Sequence, residues 1–272
     1  MTSLAVEGTA EPASSQYSVS KILGIWALAA VPMGLLSWVV FPAFSPDFAT
    51  DPLGAGVTRI LLLTIGLSWL FVLSMIIVRK EEGDLRWTTI KRRLRLNGPR
   101  DPKTGAARGR LWLWTIPLLL AIIIYEIVAR RYVGNAWLGM LPFLAEPTGW
   151  GMEAIFKSPE VLETIKGAWW FLALYVVHAT FNTFLGEELL FRGVLLPKME
   201  GVFGKWSWIA SGVLHGFYHL HQPWGILSSV FSGFLYALPS QHFRTTWMGV
   251  IVHSAQSVYF AFLILGVVLG LA

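Results

Sequence analysis

The chain is 272 residues long, 55% hydrophobic and only 14% charged, with a net charge of +5 and no cysteine. Several of its apolar runs approach the roughly 20 residues a helix needs to cross a bilayer, which excludes a string of soluble domains and points to a polytopic helical membrane protein. The missing thiol excludes a cysteine nucleophile, a cysteine-bound zinc and any disulfide, and the positive charge is no nucleic-acid signal, because the basic residues crowd into one loop beside apolar runs.

Residues 1–20 are rich in Ser, Thr, Ala and Glu and lack a basic stretch before an apolar run, which predicts a disordered cytoplasmic tail, not a cleaved signal peptide. Residues 21–166 read as N-terminal membrane spans. The first lies at 22–44, closed by Pro42 and a polar run, and the second at 57–78. Residues 79–110 break the pattern with eleven Lys or Arg, and Pro99, Pro102 and Gly105 make the second half a loop. Basic residues beside spans stay cytoplasmic. The loop therefore sets topology or, alternatively, touches anionic lipid. A third span is predicted at 111–128, with Glu126 and Arg130 as a helix-end pair. The apolar piece 136–145, broken by Gly139 and Pro142, is too short to cross and reads as interfacial or re-entrant. Spans four to seven fall at 168–190, 206–220, 224–238 and 247–271. The expectation is an all-α polytopic transmembrane bundle of about seven spans, multi-pass in the plasma (inner) membrane, with a cytoplasmic N-terminus and an external C-terminus.

Gly186-Glu187-Glu188-Leu189-Leu190-Phe191-Arg192 puts two carboxylates and a guanidinium at the end of an apolar run. A charge inside a bilayer costs at least about 2.5–3.5 kcal/mol, so each needs a partner or a task. On a helix Glu188 and Arg192 face each other, acid before base, which is the favourable order. Glu187 points about 100° away and has no partner within the motif. One acid tied down beside one left free is what a buried general base requires; a charged helix end in the headgroups is the plainer alternative.

Downstream, residues 211–221 hold His215, His219 and His221 in apolar surroundings. His215 and His219 share a helix face, as do Gly212 and Gly216, whose small size lets another helix approach. The His-x-x-x-His spacing also suits a metal pair, but Gly216 stands where a zinc peptidase motif has Glu. His253 and Ser257 share a face of the last span, and each can donate toward a developing oxyanion. His178 and Asn182 are four apart and are expected to line the same cavity from a supporting position.

Glu187-Glu188-x-x-x-Arg192, then a histidine closing a Ser-x-x-x-aromatic-x-x-x-His type segment, then a histidine opening a His-x-x-x-Asn type segment, resemble the CAAX prenyl protease type 2 and bacteriocin-processing (CPBP, Abi-type) intramembrane proteases over roughly residues 165–265. The resemblance implies a catalytic membrane core at 167–272 that hydrolyses peptide bonds of membrane-associated or lipidated, CAAX-like peptides, with membrane lipids and such peptides as partners. Carried over by position, Glu187 is the general base aided by His219, His253 and Ser257 stabilise the oxyanion, and Glu188 and Arg192 hold the helix and the substrate groove. His215, Asn182 and Gln256 support them. The resemblance is compatible with a glutamate-type mechanism without metal and with a divalent metal such as zinc, for which Glu187, His219 and His253 are the candidate ligands.

Two positions depart from the family pattern: His215 replaces the aromatic and Ser257 the final Asn. A serine hydroxyl reaches less far than an amide and can bond back to the carbonyl of His253, so Ser257 is expected to be a weak donor, with Gln256 as a possible substitute. Three rivals stay open. A rhomboid-like serine protease would use Ser211 and His253, leaving the two acids unexplained. A non-catalytic scaffold or immunity protein leaves the spacing idle. A proton-coupled carrier fits intramembrane acids and histidines but lacks the internal repeat such proteins show. For Glu187 and His219 to meet, the helix bearing the acids must continue through 193–199; Glu187, His219 and His253 are then expected to face one cavity.

Overall fold

The computed structural model describes residues 16–151, 156 and 158–271. Helix α1, Val19–Phe44, opens on Ser18, whose hydroxyl accepts from the Lys21 amide, and carries a wider π-helical stretch at Leu36–Val40. Helix α2, Pro52–Glu82, is bounded by strong local signals. Asp51 accepts from the Gly54 amide at 2.8 Å, Pro52 occupies the first turn, and Gly83 ends the helix at φ 83°, where glycine is favoured. A short α3, Trp87–Arg93, lies inside the basic segment, and α4 runs Gly109–Met140. After α5, Pro159–Ile165, comes α6, Trp169–Thr180. Its helical path continues through two π-helical segments, Phe181–Gly186 and Leu189–Leu195, into α7, Leu196–Phe203. Helices α8, Ser207–Tyr218, α9, Ile226–His242, and α10, Thr246–Val268, complete the bundle.

The architecture is all-helical, and apart from one isolated bridge between Arg100 and Ala107 the described residues contain no strand pairing. Four helices are long and apolar enough to cross a membrane, α1, α2, α4 and α10; the bent pair of α5 with the Trp169–Tyr218 path gives a fifth. Seven full spans are not found among the described residues. Helices α8 and α9 have 12 and 17 residues, short of the roughly 20 a crossing takes. The helix does continue past Leu190 through 193–199, as convergence of Glu187 and His219 requires. The first half of the interfacial piece expected at 136–145 is instead the end of α4, which absorbs Gly139 and stops at Met140, and Pro142–Leu144 forms a separate short turn.

Residues 1–15 of the expected tail lie outside the described residues, whereas Tyr17 is docked. Its amide donates to the Lys198 carbonyl and its hydroxyl to Glu81; burial, then the adjacent Glu81 carboxylate, push that hydroxyl's pKa up. The basic loop is also docked. Arg93 is 6% exposed, pairs with Glu81 at 2.9 Å, and donates to the carbonyls of Gly193 and Val194 at 3.1 and 3.3 Å. Three apolar clusters hold the bundle: α1 and α2 against the acid-bearing helix, α2 with α5, α6 and α10, and α4 with α9 and α10. A close approach joins α8 to α9. Gly212 and Gly216 make it possible, since a Cβ on either would stand 3.0 or 2.7 Å from the backbone nitrogen of Phe234 or Val230.

Candidate active site

Glu187 and Glu188 sit between the two π-helical segments. Such turns widen a helix and redirect the side chains on either side, a distortion frequent at functional sites. Glu187, Glu188 and Arg192 are all buried. Gly249 on α10 leaves the space Glu188 occupies, because a Cβ there would strike its carboxylate.

Arg192 Nη1 lies 3.2 Å from Glu188 Oε1, as the four-residue spacing predicts. The same nitrogen donates to His215 Nδ1 at 3.1 Å, and Nη2 donates to the Gly233 carbonyl at 3.3 Å. A guanidinium only donates, so His215 accepts at Nδ1 and carries its proton on Nε2. His219 takes the opposite tautomer. Its Nδ1 donates to the His215 carbonyl at 2.9 Å, which leaves the lone pair on Nε2. His253 donates from Nδ1 to Glu188 Oε1 at 3.1 Å, and Tyr236 stacks on its ring with centroids 4.4 Å apart. Glu187 Oε2 stands 3.7 Å from His215 Nδ1, beyond hydrogen-bond reach, and is a buried oxygen with no hydrogen-bond partner among the described residues.

A cavity of about 80 Å³ opens beside this cluster, room for a few waters at about 30 Å³ each. Its walls are polar: Arg130 from α4, Asn182 from the acid-bearing helix, His215, His219 and Gln222, Ser228, Ser229, Ser232 and Tyr236 from α9, and His253 and Gln256 from α10. Asn182 and Gln256 thus line the cavity. His178 does not; it turns to α2, with Nδ1 2.9 Å from Thr64 Oγ1. Ser257 is buried away from the cavity walls, and its carbonyl accepts from the Tyr175 hydroxyl at 3.1 Å.

The trio expected to converge was Glu187, His219 and His253. Of these, His219 and His253 line the cavity together, whereas Glu187 is not among its lining residues; Glu187 instead groups with His215 and His219, with one ligand atom of each within 4.8 Å of the others. His253 goes to Glu188 because α10 packs Gly249 against that carboxylate one turn earlier. Ser211 Oγ is buried without a hydrogen-bond partner among the described residues. No hydrogen bond joins Ser211 to His253 among the described residues, so the serine-protease arrangement finds no support there. The sequence reading missed Arg130, Tyr236, Gln222 and the serines of α9. One signal was available: Ser228, Ser232 and Tyr236 recur every four residues along α9.

Residues 167–259 match the family model described as Type II CAAX prenyl endopeptidase Rce1-like. The chain is Rce1-like over that stretch. No curated protein and no solved structure matches it. The Rce1-like segment contains both acids, Arg192, His215, His219, His253 and Ser257, and so supports the CAAX-type (CPBP) protease resemblance on the residues that carry it. Arg130 and the helices α1 to α5 lie outside it.

Proposed function

We propose that this chain is a CAAX-type intramembrane endopeptidase in which Glu187 activates a water to hydrolyse a peptide bond of a membrane-associated or lipidated peptide. The observation that carries this reading is the orphaned, buried Glu187 Oε2 beside a His219 whose Nε2 is left unprotonated by its own backbone bond. A carboxylate without a donor can take a proton, and an imidazole nitrogen with a lone pair can hold the same water in line.

Glu187 takes one proton from the water as its oxygen bonds to the scissile carbonyl carbon, and the carbonyl π pair moves onto oxygen. The oxyanion is met by donors of the cavity wall such as Asn182, Arg130 and His253, whose ring is oriented by its Nδ1 bond to Glu188. Collapse breaks the C–N bond, and the proton held by Glu187 passes to the leaving amine.

Glu187, His215 and His219 are also where a divalent ion such as zinc would be held, and the fit is poor. A metal-bound histidine donates from its second nitrogen to an acceptor. His219 does so, but His215 receives a donor from Arg192 at Nδ1 and therefore presents an N–H, not a lone pair, at Nε2. The Arg192 charge beside the cluster also repels a dication. The steps above need no metal. The same reading places the protein in the plasma (inner) membrane, residues 79–110 in the cytoplasm, with α8 and α9 as short partial crossings.

The test is a pair of peptides in proteoliposomes, one prenylated near its C-terminus and one not, with products read by mass spectrometry. Cleavage of the lipidated peptide supports the substrate class; cleavage of neither contradicts the proposal.

A further inference from the structure

Four hydrogen bonds run from α1 and α2 to backbone carbonyls around His219. Trp26 Nε1 donates to Leu214 at 2.8 Å, Trp38 Nε1 to Leu220 at 2.8 Å, Ser37 Oγ to His221 at 3.0 Å, and Arg59 Nη2 to His221 at 3.2 Å. Carbonyls at the end of a helix lack intrahelical donors, and α8 ends at His219, where the backbone turns away at ψ 40°. The donors therefore fix the chain just where it leaves the helix.

Arg59 is the unexpected member. It is a guanidinium within α2 and only 5% exposed. Its Nη1 donates to Ser37 Oγ at 3.2 Å, its Cζ lies 5.3, 4.9 and 5.9 Å from the ring centroids of Phe41, Trp150 and Trp224, and it interacts electrostatically with Glu146. An intramembrane charge is costly and usually has a task. Here the fork spans Ser37 Oγ and the His221 carbonyl, and the His221 ring stacks beneath the His219 ring, with centroids 5.3 Å apart and planes at 29°.

We propose that Arg59, assisted by Ser37, is a positioning residue for the hydrolysis: it pins the His221 carbonyl so that the His221 ring backs His219 and keeps His219 Nε2 turned toward Glu187. The inference rests on the hydrolytic reading above. Arg59 touches none of the reacting atoms and lies outside residues 167–259. Helices α1 and α2 are then part of the catalytic apparatus as well as of the packing.

The experiment uses the full-length protein in detergent micelles with 15N-labelled histidine rings, alongside turnover of the lipidated peptide. Wild type shows a single Nδ1–H tautomer for His219. Arg59→Gln mixes the tautomers and lowers kcat at least tenfold with KM within twofold. Arg59→Lys, a point charge without the planar fork, falls between the two. If Arg59→Gln does not fold, Ser37→Ala and Trp38→Phe, which each remove one bond to the segment, show the same changes in weaker form. Unchanged His219 ring signals in these variants overturn the proposal, including when stability or activity falls, since that pattern belongs to a purely structural arginine. A wild-type protein that cleaves nothing contradicts the hydrolytic reading instead, and the tautomer comparison still decides the role of Arg59.

Discussion

Glu187 and Glu188 are adjacent in sequence but have unlike surroundings. Glu188 is held by Arg192 and His253, whereas Glu187 keeps an oxygen without a hydrogen-bond donor among the described residues. Glu187→Gln keeps the shape and removes the base, so turnover is lost while thermal unfolding stays where it was. Glu188→Gln leaves Arg192 buried without its counter-charge, a change that typically costs about 3–5 kcal/mol, so its unfolding temperature in detergent falls as well. Equal stability losses in both variants would contradict the division of roles. The oxyanion donors are ranked the same way. His253→Ala should slow turnover by about 10²–10³, the usual cost of losing one such donor. Ser257→Ala should change it less than twofold, because that side chain lies off the cavity; equal damage from both would restore Ser257 to the site. At this scale the sequence was half legible. The Glu188–Arg192 pair follows from helical spacing alone, but the bond from His253 to Glu188 joins residues 65 apart and depends on how α10 packs. The tautomer of His215 likewise became readable only with Arg192 in place.

The helices most legible in the sequence were those whose apolar length decides the matter, α1, α2 and α10. The Gly212 and Gly216 stripe also announced a close helix contact, which α9 supplies. The π-helical turns around the acids and the extension of α4 past residue 128 were not legible, because both are settled by tertiary packing against neighbouring helices, not by local propensity. Helix α4 suggests a consequence. Only 6% of its apolar stretch is buried, yet it contributes Arg130 to a cavity of about 80 Å³. That volume admits water but no peptide, so substrate entry requires a wall to move, and α4 is the least anchored. A Cβ on Gly134 would lie 3.8 Å from Ser228 Oγ on α9, so the two positions face each other at van der Waals distance. In this cysteine-free chain, Gly134→Cys with Ser228→Cys should cross-link on oxidation, lower turnover at least tenfold and recover on reduction. Full activity in the oxidised form would assign entry to another wall.

For the molecule as a whole, the Rce1-like match covers residues 167–259, while several of the hydrogen bonds that hold this segment come from outside it. Arg93 in the basic loop anchors the acid-bearing helix through Gly193 and Val194, and α1 and α2 hold the turn after His219. A motif reading finds the reacting groups and misses this frame, because its members are ordinary Arg, Ser and Trp residues with no mutual spacing to mark them. The central claim is that Glu187 delivers a water without help from a metal. The most direct measurement is single-turnover cleavage of a lipidated peptide in H2(18)O by metal-depleted protein in the presence of a chelator, run for wild type and Glu187→Gln. The account predicts one 18O atom in the new carboxyl terminus from wild type, at the same rate with and without chelator, and no product from Glu187→Gln. Activity that disappears with the chelator and returns with added zinc, or product formed at an undiminished rate by Glu187→Gln, would contradict it.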